Sequence, residues 1–159
     1  MTFQAAGVTL ADIQRPVVGQ LDAVVTRLRE VVAADFPLIQ EINGHLLQMK
    51  GKLFRPTLRL LATQASGGHD PRAVRLGAVI ELIHLATLVH DDSVDHSVLR
   101  RGMPTVNALF SHQISVIMGD YLYSRAVIEL VHPAGAPLRA AACPPFPRYA
   151  PSCFWASAA

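Results

Sequence analysis

Residues Glu81 to Asn107 read ELIHLATLVHDDSVDHSVLRRGMPTVN, an apolar run that ends in three aspartates and is followed by two adjacent arginines. Asp91 and Asp95 are four positions apart, so they share one face of a helix, where like charges destabilise each other unless a cation lies between them. Asp92 adds a third charge, and the C-terminal end of a helix disfavours carboxylates. Magnesium ions bridging the aspartates to a diphosphate would remove this cost, because Mg²⁺ is commonly held by one or two carboxylates together with phosphate oxygens.

The apolar residues on both sides of this stretch also recur at helical spacing. The run over 73–95 is the most apolar and predicts a central helix buried on nearly all sides, which Asp70 and Pro71 begin. No segment alternates between polar and apolar residues with period two, so we predict an all-α fold. The other predicted elements are one long helix over 10–34 with an interruption near its start at Pro16, helices over 36–49, 56–65, 104–111 and 114–131, and a loop at 100–102.

The composition changes abruptly at residue 132. Residues 132–159 contain six of the chain's eleven prolines, its only tryptophan and no acidic residue. Helices do not tolerate this density of proline, so we divide the chain into a domain over 1–131 and an irregular Pro-rich tail over 132–159, as a frameshift or a truncated gene would produce. Both cysteines, Cys143 and Cys153, lie in the tail without CxxC spacing or a metal-ligand pattern, and indicate no redox or zinc chemistry.

Composition excludes several classes of function. The 159 residues suffice for one domain with a core. The net charge is +2, aromatic residues make up 6%, and no run of Lys and Arg exceeds two residues, so we do not expect nucleic-acid binding. The N-terminus lacks a basic and apolar leader pattern, and the uncharged span 102–119 is too interrupted by polar residues to cross a bilayer. We therefore expect a cytoplasmic protein without a transmembrane segment.

Two further groups of residues carry the chemistry of anion binding. His84 lies seven residues before Asp91 and on the same helix face; a lone buried histidine usually belongs to a core, but beside charged groups it fits hydrogen bonding to an anionic substrate. Gly51, Lys52 and Arg55 stand at the predicted start of a helix, where free amide groups favour phosphate. Taken alone, basic residues at a helix start are also common surface features.

Arg100 and Arg101 are adjacent and should point in divergent directions, so we predict that they serve two different anions. Beside the aspartates they place strong phosphate donors where a leaving diphosphate would develop charge. His90 fits a capping or pairing role.

Three segments, GKLFRP, IELIHLATLVHDDSVDHSVLRRGMPTVN and MGDYLYSRA, resemble the N-terminal half of trans-isoprenyl diphosphate synthases, the all-α polyprenyl synthetase family. The resemblance covers roughly residues 10–131, and DDxxD followed by RRG is highly specific. It implies a partial isoprenoid-synthase helical bundle that condenses isopentenyl diphosphate with an allylic diphosphate, and it implies a homodimer.

The resemblance also assigns roles by position. The allylic diphosphate ionises to a carbocation, the double bond of isopentenyl diphosphate attacks it, and a proton is lost. The implied ligands are Asp91, Asp92 and Asp95 for Mg²⁺, Arg100 for the allylic diphosphate, and Lys52, Arg55, His84 and Arg101 for isopentenyl diphosphate.

Product length in the family depends on side chains just before the aspartates. Ala86 and Thr87 stand there without an aromatic residue, so we predict a product of twenty carbons or longer.

The family also has a second aspartate-rich motif in its C-terminal half, and this sequence ends before it. We therefore expect an apparently truncated chain with impaired activity. Two alternatives stay open. A class I terpene cyclase shares the aspartates, but the GKxxRP and RRG groups argue against it because a cyclase has no second diphosphate to hold. A non-catalytic remnant or partner subunit would bind diphosphate or another helical chain.

Overall fold

The computed structural model describes residues 9–49, 51–67, 70 and 72–131. Their helices confirm the all-α prediction, with one two-stranded hairpin as the exception. The predicted irregular tail over 132–159 lies outside the described residues. The elements in chain order are α1 (Leu10–Gln14), a 3₁₀ helix (Arg15–Val17), α2 (Val18–Val32), α3 (Pro37–Gln48), α4 (Phe54–Ala65), α5 (Arg72–Val94), β1 (Leu99–Arg100), β2 (Met103–Pro104), α6 (Val106–Leu109) and α7 (His112–Val131).

The long helix predicted over 10–34 is interrupted near its start, as expected, and the interruption divides it into two helices. Proline lacks an amide hydrogen and its ring crowds the preceding turn, and around Pro16 the chain forms the 3₁₀ helix that separates α1 from α2. Thr9 and Asp12 cap the start of α1 by exchanging side-chain and backbone hydrogen bonds. The buried face of α2 comprises Leu21, Val24, Leu28, Val31 and Val32.

Helix α3 occupies its predicted range, whereas α4 begins two residues earlier than predicted. Leu53 precedes α4 with φ of 48°, a left-handed conformation that is uncommon for a bulky residue. Its carbonyl oxygen accepts hydrogen bonds from the backbone N–H and the hydroxyl of Thr57. Pro56 lies in the first turn of α4. Backbone N–H groups in this turn have no acceptor within the helix, so proline costs no hydrogen bond there.

Helix α5 is central, because it packs against α2, α4 and α7. Its side chains Leu82, Ala86 and Val89 belong to the core. The prediction that it is buried on nearly all sides is wrong, since Ile80 and Val94 are 37% and 73% exposed. Among the described residues, α5 is also the one helix long and apolar enough to cross a membrane, a test that core helices pass equally well.

The end of α5 determines where the chain turns after the aspartates. His96 adopts a left-handed conformation with φ of 51°. Its N–H donates to the carbonyl oxygen of Ser93, and the N–H of Ser97 donates to that of Asp92 at 2.9 Å. These two bonds form a Schellman motif, in which histidine occupies the position usually held by glycine.

The predicted loop at 100–102 is the turn of the β1–β2 hairpin. Arg101 and Gly102 both have positive φ, 54° and 79°, which corresponds to the type I′ turn favoured by the twist of two-residue hairpins. Pro104 therefore lies in β2 and does not open the next helix as predicted. Helix α6 begins at Val106, after Thr105 accepts a capping hydrogen bond from the N–H of Ala108.

An ion cluster joins three helices at the far end of the bundle. Glu129 of α7 is 1% exposed and accepts hydrogen bonds from Arg27 of α2 at 2.9 and 3.0 Å. Arg75 of α5 lies 3.1 Å from the same carboxylate. A buried carboxylate is tolerated only when it is paired in this way, so the cluster fixes the relative positions of α2, α5 and α7.

Candidate functional site

One face of α5 forms the wall of a cavity of about 620 Å³. Glu81, His84, Leu85 and Leu88 contribute this wall at helical spacing. The opposite walls come from α2, the end of α3, the segment before α4 and the β1–β2 turn. Their lining is mostly apolar and comprises Val25, Leu28, Arg29, Leu46, Leu47, Gln48, Met49, Gly51, Leu53 and Arg101. A cavity with apolar walls and a few polar groups is suited to binding a ligand with a charged head and a hydrocarbon tail.

Asp92 is buried and paired with Arg100. The Arg100 guanidinium donates to both carboxylate oxygens, from Nε at 2.7 and 2.9 Å and from Nη2 at 2.8 Å. These hydrogen bonds raise the pKa of Arg100, and the charges of Asp91 and Asp95 act in the same direction. All three aspartates therefore lie close enough to Arg100 to affect it.

The other two aspartates face outward. Asp91 and Asp95 are exposed, and within the described residues no hydrogen bond or ion pair engages their carboxylates. No three acidic, histidine or cysteine side chains of the described chain converge on one point as metal ligands. The donor chemistry nevertheless fits Mg²⁺, which prefers carboxylate oxygens and keeps several positions for water or phosphate.

The two adjacent arginines point to different places, as predicted. The type I′ turn brings Arg100 onto Asp92, while Arg101 lines the cavity. The Arg101 Nη1 atom lies 3.1 Å from the point that a Cβ atom of residue 51 would occupy. Gly51 thus leaves room for this guanidinium, and a hydrogen bond between His45 and the carbonyl oxygen of Pro104, at 2.7 Å, ties the hairpin to α3.

His84 lies among the charged groups of the site. Burial lowers its pKa, and the positive charges of Arg55, Arg101 and Arg100 lower it further, against a smaller opposing effect of Asp91. The imidazole is therefore held neutral near pH 7, in which state it can donate one N–H to an anion.

Of the two basic residues at the start of α4, Arg55 lies near the charged groups of the cavity, whereas Lys52 makes no contact with them among the described residues. Arg55 occupies the first turn of α4 and acts electrostatically on both Glu81 and His84. Lys52 is exposed, and its carbonyl oxygen accepts a hydrogen bond from Gln14 at 2.8 Å. None of the described contacts joins the Lys52 ammonium to the other site residues.

Sequence reasoning missed Glu81. This side chain lines the cavity, its Oε1 lies 3.5 Å from the same Cβ point of Gly51, and its Oε2 is buried without a hydrogen-bond partner in the described chain. Burial raises the pKa of Glu81, while the charges of Arg55 and Arg101 oppose the rise. A carboxylate three positions before His84 in an apolar run was the signal that could have identified it.

Residues just before the aspartates are placed differently from one another. Ala86 is 1% exposed and belongs to the core, whereas Thr87 is exposed. His90 has the pairing role foreseen for it, since its Nε2 lies 3.2 Å from Asp120 of α7.

The helices and site residues described above lie in a part of the chain that is similar to known proteins. The sequence model of the family described as polyprenyl synthetase matches residues 36–141. The chain belongs to the polyprenyl synthetase family. An all-trans-nonaprenyl-diphosphate synthase (geranyl-diphosphate specific) of Rhodobacter capsulatus is 41% identical over 121 residues, which are 76% of this chain and 37% of that protein.

Solved polyprenyl synthetases share the arrangement of helices. A decaprenyl diphosphate synthase from Rhodobacter capsulatus matches 77% of this chain with a TM-score of 0.73 and 38% identity. A polyprenyl synthase from Caulobacter crescentus, complexed with calcium and isoprenyl diphosphate, matches 77% with a TM-score of 0.74 and 31% identity. The isoprenoid-synthase bundle predicted from the sequence is confirmed. The chain spans 38% of the length of each of these two proteins.

Proposed function

We propose that this chain binds isopentenyl diphosphate and an allylic diphosphate with Mg²⁺ and takes part in joining them into a polyprenyl diphosphate of twenty carbons or more. The observation that carries the proposal is the divergence of two adjacent arginines. Arg100 lies among the aspartates and Arg101 lies in the cavity with His84. Two separate anion sites are what a reaction between two diphosphates requires.

The first site would hold the allylic diphosphate. Asp91, Asp92 and Asp95 are the residues that would hold Mg²⁺, which when bound supplies Lewis-acid stabilisation of the departing diphosphate. Arg100 would donate hydrogen bonds to the same group as its negative charge develops. The allylic carbon then carries the positive charge.

The second site would hold isopentenyl diphosphate. Arg55 and Arg101 would donate to its phosphate oxygens as planar forks, Lys52 would add a point charge, and neutral His84 would add one N–H. The apolar walls beside them would limit the access of water to the allylic cation before the double bond attacks it.

Product length depends in this proposal on Thr87. Just before the aspartates there are two small side chains, of which Thr87 is exposed and Ala86 belongs to the core. An exposed threonine leaves room for a tail that continues past it. The relatives described above as nonaprenyl and decaprenyl synthases also support a long product.

Ligand binding by paired arginine variants tests the proposal. Calorimetry would measure binding of geranyl diphosphate and, separately, isopentenyl diphosphate to the chain and to its Arg100→Ala and Arg101→Ala variants. Losing charge-assisted hydrogen bonds of about 1.5–3 kcal/mol weakens binding roughly 10- to 100-fold. We expect Arg100→Ala to affect geranyl diphosphate more, Arg101→Ala to affect isopentenyl diphosphate more, and chelation of Mg²⁺ to abolish binding of the former.

Each variant serves as the control for the other. Circular dichroism establishes that both are folded. Equal effects of the two substitutions on both ligands would contradict two separate sites, and absence of Mg²⁺-dependent binding by the unsubstituted chain would overturn the proposed function. A condensation assay with radiolabelled isopentenyl diphosphate then gives the product, and a cyclic hydrocarbon in place of a linear diphosphate would exclude prenyl transfer.

A further inference from the structure

Glu81 is an acidic residue at a site proposed to bind anions, and none of the steps above uses it. Its carboxylate is partly buried in the cavity wall on α5. A negative charge there would repel a diphosphate unless it is engaged with the neighbouring cations. The side chain therefore requires an explanation of its own.

Glu81 and Arg101 both border the space above Gly51. Glu81 Oε1 and Arg101 Nη1 lie 3.5 and 3.1 Å from the same point, where residue 51 would carry a Cβ atom if it were not glycine. A Cβ atom at this position would crowd both the guanidinium and the carboxylate. Arg55 approaches from α4 closely enough for its charge to act on Glu81.

The second carboxylate oxygen is unused. Glu81 Oε2 is buried and accepts no hydrogen bond from the described residues. Buried acceptors are almost always satisfied in folded proteins, and an exception calls for a functional or solvent explanation. The positive charges of Arg55 and Arg101 act on this carboxylate, although neither guanidinium donates to Oε2 in this structure.

We propose that Glu81 is a positioning residue that holds Arg101, together with Arg55, over Gly51 in the orientation that receives isopentenyl diphosphate, with Oε2 as the acceptor for a guanidinium drawn inward by the ligand. This inference rests on the proposed function. Glu81 acts through the arginines and does not touch the substrate. The raised pKa of Glu81, caused by burial and opposed by the two arginines, agrees with a carboxylate whose charged state depends on them.

Three variants and one control test this role by calorimetric titration with isopentenyl diphosphate. Glu81→Ala removes the acceptor, Glu81→Gln keeps an acceptor oxygen, and Glu81→Ala is repeated in the Arg101→Ala background. Glu41→Ala on α3 makes the same change of charge at an exposed position and is the matched control.

We expect Glu81→Ala to weaken binding about tenfold and Glu81→Gln to weaken it about threefold, because the amide oxygen still accepts a hydrogen bond. In the Arg101→Ala background, Glu81→Ala should change the dissociation constant less than about twofold, since residues that act through one another are not additive. Glu41→Ala should leave binding unchanged.

The outcomes separate the two proposals. If the unsubstituted chain binds isopentenyl diphosphate and Glu81→Ala binds equally well or more tightly, the positioning role is overturned while the proposed function stands. Multiplicative effects in the double variant would also overturn it. If the unsubstituted chain does not bind the ligand, both proposals fail. Should Glu81→Ala not fold, Glu81→Gln with and without Arg101→Ala provides the same comparison.

Discussion

Replacing Arg100 by alanine should destabilise the fold, because the substitution leaves Asp92 buried and unpaired. The Asp92 side chain is 8% exposed and accepts three hydrogen bonds of 2.7 to 2.9 Å from the Arg100 guanidinium. Removing one partner of a fully buried ion pair costs about 3–5 kcal/mol. The Arg100 side chain is 30% exposed, so water replaces part of the interaction, and we expect a loss of about 2–3 kcal/mol.

Urea denaturation measures this loss directly. With a slope of about 1–3 kcal/mol per molar urea for a domain of this size, the midpoint should fall by about 1–2 M. The matched control is Arg72→Ala. Arg72 also pairs with an aspartate, Asp70, but its side chain is 70% exposed, and water screens such surface pairs so that they contribute little to stability.

A double substitution distinguishes an unpaired charge from lost packing. If the cost comes from the isolated carboxylate, Arg100→Ala combined with Asp92→Asn should be more stable than Arg100→Ala alone. Millimolar Mg²⁺ should also recover part of the loss in Arg100→Ala, by supplying Asp92 with another cation. A midpoint shift no larger than that of Arg72→Ala, or a double variant as unstable as the sum of its parts, would refute the reasoning.

Three further predictions follow from other positions. Gly119→Ala should lower the free energy of unfolding by about 1–2 kcal/mol, because the new Cβ would lie less than 3.0 Å from the His90 ring. Gly44→Ala in α3, with open space around it, should raise the free energy of unfolding by about 0.5–1 kcal/mol. Urea melts that rank the two variants the other way would contradict the packing. The pKa of His84 is lowered from 6.5, so just below that pH the folded chain binds fewer protons than the unfolded chain, and the free energy of unfolding should fall as the pH drops below 6.5. His84→Asn should show a weaker dependence of stability on pH in urea melts from pH 7.5 to 5. Identical pH profiles of the two proteins would exclude the effect. In an active protein containing this chain, Thr87→Phe should shorten the product in a chromatographic assay, and an unchanged length distribution would remove Thr87 from the tail path.

The central helix and the aspartate group could be predicted from the sequence. Periodicity over more than twenty residues identifies a helix strongly, and the i,i+4 spacing of Asp91 and Asp95 fixes their common face. The divergence of Arg100 and Arg101 was also predictable from their adjacency. Periodicity does not show which residues of α5 contact a neighbouring helix. Ala86 and Thr87 were therefore both predicted to affect product length, although Ala86 is in the core and Thr87 is exposed.

The remaining differences have local causes. The interruption at Pro16 was visible in the sequence, but an amphipathic pattern does not reveal that the chain forms a separate 3₁₀ helix there. Strands of two residues are too short to show an alternation, so the hairpin around Gly102 looked like a loop. Glu81 resembled an ordinary charged position on a helix because its significance comes from Gly51 and Arg101, which are distant in sequence.

The number of residues in the β1–β2 turn determines where Arg100 and Arg101 are placed. Consecutive Cα atoms are 3.8 Å apart, so the backbone fixes the spacing of the two points from which the side chains of Arg100 and Arg101 leave the turn. Inserting or deleting one residue there would exchange or misalign the two arginines even if every side chain were kept. Length variation should therefore be rare at this turn in natural sequences and common at the surface connection between α2 and α3.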